Sequence, residues 1–159
     1  MERAQDGTSL ADLARNHRDD EASRIICAVF DQLHAPRNRP LPELVPLTQW
    51  FEALYPAADA HGGILRVAAA AASNLLTTQR DIVVLHGDMH HGNVLNFGSH
   101  GWLAIDPKGL VGERYFDYAN ILCNPDDETA TALGRLTRQL AVISEAANLD
   151  RRRAAPLSG

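Results

Sequence analysis

The chain has 159 residues, of which 45% are hydrophobic, and it carries a formal net charge of −5 at pH 7. That length allows one domain or part of a larger one, and the apolar content is sufficient for a buried core. The net negative charge argues against sequence-independent binding to nucleic acid. The sequence contains no run of about 18 apolar residues, so we predict no membrane-spanning helix. The start of the chain lacks a signal-peptide pattern, so we expect a cytoplasmic protein that binds neither nucleic acid nor membrane.

Helical patterns dominate the first half of the sequence. Apolar residues recur at helical spacing over residues 20–34, and Pro36 ends that pattern. Residues 47–55 predict a short helix ended by Pro56. The alanine-rich residues 64–76 predict a third helix from propensity alone. We expect no strand before residue 82.

The pattern changes at residue 82. Residues 82–85 form a short β-prone apolar run, and the polar cluster of residues 86–93 follows it directly. Residues 94–97 and 102–105 predict two strands joined by four residues with turn chemistry. The segment is therefore predicted to be a strand, a polar loop and a β-hairpin.

Beyond the hairpin, we expect a glycine-containing loop to residue 112, a short helix over residues 116–122 and one long helix over residues 128–147. Residues 151–159 have no apolar periodicity and predict a frayed tail after a domain of residues 1–150. These elements together predict an α+β, mostly helical fold with one hairpin.

Three oxygen-bearing side chains converge if this hairpin forms. Asp88 and Asn93 lie in the polar loop, and Asp106 follows the second hairpin strand, which returns to the start of the first. Asn93 and Asp106 offer the hard oxygen ligands that Mg²⁺ prefers, and Asp88 remains to accept a proton. Phosphoryl transfer needs this division of labour, and protein kinases use the same five-residue spacing between the catalytic Asp and the metal-binding Asn.

Other interpretations of these residues stay open. His86, Asp88, His90 and His91 together could hold zinc in a hydrolase, because imidazole and carboxylate suit that metal. The chain could also be a non-catalytic module that binds a polyamine-like drug. Asp117 could be a plain acid at a helix N-terminus. We expect the isolated histidines, His34 among them, to be surface or capping residues.

Three motifs together resemble one enzyme family. They are HGDMHHGNVL at residues 86–95, AIDP at 104–107 and FDYA at 116–119. This set resembles the aminoglycoside phosphotransferases, which have a protein-kinase-like fold, and within them looks most like the streptomycin 6-phosphotransferases. The resemblance runs from residue 1 to about residue 153. Other small-molecule kinases share the core motif but match the flanking segments less well.

The resemblance implies a role for each residue of the set. Asp88 would be the catalytic base, and Asn93 and Asp106 would bind magnesium and, through it, ATP. His86 and Asp117 would support the catalytic loop. The implied reaction transfers a phosphoryl group from ATP to a hydroxyl of an aminoglycoside, streptomycin first among them.

The sequence also departs from the family pattern. The family has an N-terminal lobe with a nucleotide-covering loop and a strand lysine that pairs with ATP phosphates. The only lysine here, Lys108, lies beyond the metal-binding aspartate. Residues 1–4 resemble the hinge between lobes, so we expect a fragment of the C-terminal lobe, truncated at both ends and weakly active or inactive.

Overall fold

The structure is a computed structural model, and it describes residues 9–150. The predictions for residues 1–4 and for the tail at 151–159 lie outside the described residues. Helices dominate and are accompanied by two small sheets, which confirms the α+β class. In chain order the elements are α1 (Leu10–Leu13), a π-helical segment (Ala14–Arg18), α2 (Asp19–His34), β1 (Val45–Pro46), α3 (Leu47–Trp50), α4 (Leu54–His61), α5 (Ile64–Thr77), β2 (Ile82–Leu85), β3 (Val94–Asn96), a 3-10 turn (Gly98–His100), β4 (Trp102–Ala104), β5 (Leu110–Glu113), α6 (Tyr115–Cys123), α7 (Asp127–Ala130) and α8 (Arg135–Ala146).

Helix α2 forms the centre of the hydrophobic core, and its predicted extent is confirmed. It ends two residues before Pro36, as expected from the bias of the residue before a proline against helical conformation. One face is buried at helical spacing and packs against residues of α6 and α8. The buried residues of that face include Ala22, Ile26, Val29 and Phe30. Full burial of a side chain such as Ile26 or Phe30 contributes about 1.5–3 kcal/mol.

A buried ion pair joins α2 to α8. Arg135 donates to both oxygens of Asp19, at 2.7 and 3.0 Å, and each side chain is only 3% exposed. The Gln139 amide donates to the same carboxylate at 2.7 Å and accepts from the Ser23 hydroxyl at 2.7 Å. Arg135 also donates to the carbonyl of Leu122 at 2.9 Å, which ties the end of α6 to both helices.

Two helix predictions need correction. Pro56 does not end a helix but lies in the first turn of α4, where a backbone N–H has no helical partner to lose. The predicted single helix over 128–147 is two helices, because Gly134 adopts a left-handed conformation (φ 77°) between α7 and α8. Helices α5 and α6 are confirmed.

Two strands were missed by sequence patterns. Strand β5 begins within the predicted loop to residue 112 and pairs antiparallel with β2 from Leu85↔Leu110 to Ile82↔Glu113. The short strand β1 pairs parallel with β5 on its other side, so the expectation of no strand before residue 82 is wrong. The hairpin of β3 and β4 is confirmed, with Val94 opposite Ala104. Within residues 9–150, no helix is long and apolar enough to cross a membrane.

Candidate active site

The loop after β2 is held by the carboxylate of Asp117. This side chain lies in the first turn of α6, is 2% exposed, and accepts the backbone N–H groups of His86 at 2.9 Å and Gly87 at 2.8 Å. The Nε2 atom of His34 donates a third hydrogen bond at 2.9 Å. Buried carboxylates require such partners, so Asp117 fixes where the loop begins.

His34 is a correction to the sequence interpretation. It was expected at the surface or at a cap, but its side chain is only 7% exposed and contacts Asp117. Its ring stacks on Phe30, with 5.2 Å between ring centroids, and meets Tyr118 edge-on. No local pattern indicates this role, since His34 and Asp117 are 83 positions apart in the chain.

His86 links the loop to the far strand of the hairpin. Its Nε2 atom donates to the carbonyl of Ile105 at 2.8 Å, and its Nδ1 atom accepts the backbone N–H of Asp88 at 3.3 Å. The ring is therefore in the tautomer with a proton on Nε2. At 1% exposure, His86 fixes the loop from inside the fold.

Asn93 closes the same loop. The side-chain Nδ2 atom of Asn93 donates to the backbone carbonyl of Asp88 at 2.9 Å, and the backbone carbonyl of Asn93 accepts the backbone N–H of Ile105 at 2.9 Å. The amide orientation follows from the first bond, which leaves the Asn93 side-chain oxygen as the atom able to bind a cation. The hairpin thus brings Asn93 beside the residue that precedes Asp106.

The carboxylates of Asp88 and Asp106 share one cation. The ammonium of Lys108 lies 3.3 Å from Oδ2 of Asp88 and 3.0 Å from Oδ2 of Asp106. The hydrogen bond to Asp106, followed in size by that to Asp88, raises the pKa of Lys108 above its ordinary value. Asp106 adopts a left-handed backbone conformation (φ 59°), which is uncommon outside glycine and recurs at functional sites. Sequence patterns give Lys108 no role beyond showing that it is not the ATP-pairing lysine. In the structure, its ammonium lies between Asp88 and Asp106 of the candidate site.

Comparison with known proteins gives the family. The model of the aminoglycoside/hydroxyurea antibiotic resistance kinases matches residues 1–157. The chain belongs to this family. No solved structure shows a significant match to the chain.

Curated relatives support the same family. A streptomycin 3''-kinase of Klebsiella pneumoniae is 49% identical over 148 residues, which is 90% of this chain and 55% of that protein. A streptomycin 6-kinase of Streptomyces griseus is 33% identical over 153 residues, covering 90% of this chain and 50% of that protein. A hydroxyurea phosphotransferase of Kitasatospora aureofaciens is 35% identical over 91 residues, covering 57% of this chain and 25% of that protein.

The chain spans about half the length of the two streptomycin kinases. Those relatives are also named for two different positions on streptomycin, and identity is higher to the 3''-kinase than to the 6-kinase. The predicted family is confirmed, whereas the resemblance to the 6-phosphotransferases does not decide which hydroxyl is modified.

Asn120 is a further residue at the candidate site that sequence reasoning did not single out. Its Nδ2 atom lies 3.4 Å from Oδ1 of Asp88, the oxygen opposite the one that contacts Lys108. Asn120 is three positions after Asp117 on α6, so both side chains lie on one face of that helix. That spacing was the available signal for Asn120.

The zinc alternative finds no support in residues 9–150, where no group of three His, Cys, Asp or Glu side chains is arranged to hold a metal. Both ring nitrogens of His86 are engaged, and Nδ1 of His90 accepts the N–H of Gly92 at 3.0 Å. His91 is 1% exposed, and burial lowers its pKa to about 4. Neither of its ring nitrogens hydrogen-bonds to another described residue.

An apolar cavity of about 240 Å³ lies elsewhere, between α3, α5, α6 and α8. Its walls include Leu47, Leu76, Phe116, Leu140 and Ile143. None of the five predicted site residues lines it. A polar, cationic substrate has little to bind in such a lining, so the cavity is not the candidate active site.

Proposed function

We propose that the chain carries the base and the metal-binding residues of an ATP- and magnesium-dependent kinase that phosphorylates a hydroxyl of an aminoglycoside. Streptomycin is the first candidate, because two family relatives are named as streptomycin kinases. The resemblance of the motifs over residues 86–119 supports the same proposal.

One observation carries the proposal: two carboxylates, one from the loop before the hairpin and one just after the hairpin, lie against a single cation. A site that holds an ammonium between Asp88 and Asp106 has the charge and donor chemistry to hold a divalent cation there. Asn93 adds a side-chain oxygen from the same loop, joined to Asp88 through its amide nitrogen. The residues present therefore fit magnesium.

Each residue has a task in this proposal. Asn93 and Asp106 would hold the magnesium ion. Bound there, magnesium supplies charge neutralisation for the ATP phosphates. Asp88 accepts the hydrogen bond of the acceptor hydroxyl and orients its oxygen, which positions the attacking atom. Asp117, through the backbone of His86, holds the loop so that Asp88 does not need to reorganise.

Catalysis of this kind depends on position more than on covalent chemistry. Hydroxyurea is a second candidate acceptor, since one relative is named as its phosphotransferase.

The test is an ATP-dependent phosphorylation assay read by mass spectrometry, with streptomycin and hydroxyurea as separate acceptors. We expect modification of streptomycin that is lost in Asp88→Asn. Asp59→Asn, at an exposed position of α4, is the matched control and should keep the wild-type rate. Undiminished turnover, or unchanged drug resistance of cells that express Asp88→Asn, contradicts the assignment of Asp88.

A further inference from the structure

Lys108 is the sole lysine of the chain, and it lies in the middle of the candidate site. Its ammonium contacts one oxygen of the proposed base, Asp88, and one oxygen of the proposed metal ligand, Asp106, at 3.3 and 3.0 Å. The three side chains are 35%, 39% and 69% exposed, respectively, so solvent and ions reach them. A monovalent cation therefore stands where two carboxylates would otherwise repel each other.

The backbone of the fold brings Lys108 to this place. Its N–H donates to the carbonyl of His86 at 2.8 Å, just beyond the paired residues of β2 and β5. Gly87 (φ 83°) permits the close approach, since a Cβ there would lie 3.2 Å from Cβ of Lys108 and 2.7 Å from Cδ1 of Leu110. The stem of Lys108 is thus anchored against the loop that presents Asp88.

We propose that Lys108 is the resident counter-ion of this site: its ammonium bridges Asp88 and Asp106 in the metal-free chain and leaves when a divalent cation binds Asp106. This inference rests on the proposed function, because it takes Asp106 as a metal ligand. A lysine suits the role because its ammonium is a compact charge on a flexible four-carbon stem, which can move away without unfolding its anchor.

Displacement of Lys108 has a consequence for the base. Oδ2 of Asp88 lies 3.3 Å from the ammonium of Lys108 and Oδ1 lies 3.4 Å from Nδ2 of Asn120, so both oxygens have partners. When the ammonium leaves, Oδ2 becomes available to the acceptor hydroxyl. Metal binding and the freeing of the base are then one event, which keeps Asp88 engaged until the metal is in place.

The chain offers a direct test because an amine-reactive reagent can label only Lys108 and the amino terminus. An amine engaged by two carboxylates is shielded from an acylating reagent. We expect Mn²⁺, used as the probe for the divalent site, to raise the labelling rate of the Lys108 peptide several-fold at constant pH and ionic strength. The amino-terminal peptide is the internal reference and should not change.

Variants distinguish the displacement of Lys108 by the metal from a general effect of net charge. Asp106→Asn should raise the labelling rate of Lys108 without metal and abolish the response to Mn²⁺. Lys108→Met should bind Mn²⁺ on the order of tenfold more tightly, measured by calorimetry, because no ammonium competes for the carboxylates. Lys108→Arg keeps a cation there and should stay near the wild-type affinity. Arg18→Gln, which removes an exposed cation paired with Glu21, is the remote control and should also match it.

The outcomes distinguish this inference from the proposed function. Mn²⁺ binding with faster labelling of Lys108 supports both. Mn²⁺ binding that leaves the labelling rate unchanged or slower, together with an unaltered affinity in Lys108→Met, overturns the inference and leaves the proposed function standing. Failure of the wild-type chain to bind Mn²⁺ overturns the inference and also removes the metal site from the proposed function.

Discussion

Replacing Asp117 with asparagine changes one atom of the group that holds the loop of the candidate active site. The carboxylate accepts three hydrogen bonds: Oδ1 from the N–H of Gly87, and Oδ2 from the N–H of His86 and from His34. Asparagine keeps a single acceptor oxygen. Whichever way its amide turns, an NH₂ group faces at least one of these buried donors.

The cost follows from those contacts. A hydrogen bond to a charged group contributes about 1.5–3 kcal/mol, and a buried donor left unpaired costs about 1–3 kcal/mol. Because relaxation of the surrounding structure recovers part of these two costs, we expect Asp117→Asn to lower the free energy of unfolding by about 2–4 kcal/mol. The same change releases the backbone of His86 and Gly87, and so loosens the loop that carries Asp88.

Urea denaturation followed by circular dichroism measures the stability, and ¹H–¹⁵N spectra report the amide of Gly87. Asp59→Asn is the matched control, since Asp59 is exposed on α4. The control should change stability by no more than about 0.5 kcal/mol. An equally small effect for Asp117→Asn, with the Gly87 amide signal unmoved, refutes the argument that this carboxylate fixes the loop.

Two further predictions concern buried polar groups. Burial holds the pKa of His91 at about 4, below the ordinary 6.5, so the unfolded chain takes up a proton first as the pH falls. Stability should therefore drop by about 3 kcal/mol between pH 6.5 and 4 through this group, and His91→Leu should lack that part of the drop; identical pH profiles contradict this. Arg135→Met leaves the buried carboxylate of Asp19 without its bidentate partner and should cost about 3–5 kcal/mol in urea denaturation, with Arg135→Lys in between. A loss below about 1 kcal/mol in Arg135→Met contradicts the role given to this pair.

The hairpin and its polar loop could be predicted because their signals are local. Two β-prone runs with a turn between them specify a hairpin, and a hairpin by itself brings Asn93 back beside the residue before Asp106. Helix α2 could be predicted for the same reason, since the residues of its buried face recur at helical spacing within sixteen residues. These elements need no knowledge of the rest of the fold.

The missed features depend on partners that are distant in the sequence. Strand β5 has only four residues and includes Gly112, so its extended form comes from pairing with β2 rather than from its own propensity. His34 acquires its role from Asp117, which lies on a different helix. Lys108 was judged by the family role that it could not play, whereas its position beside Asp88 follows from the register of β2 and β5.

The central proposal is that Asn93 and Asp106 hold one divalent cation, which Asp88 faces. A crystal of the chain soaked in Mn²⁺ tests it most directly, because anomalous scattering locates the metal without reference to activity. We expect a single strong anomalous peak within bonding distance of the side-chain oxygens of Asn93 and Asp106, with Asp88 facing it. A metal bound elsewhere, or none at this position while the three side chains point apart, contradicts the account.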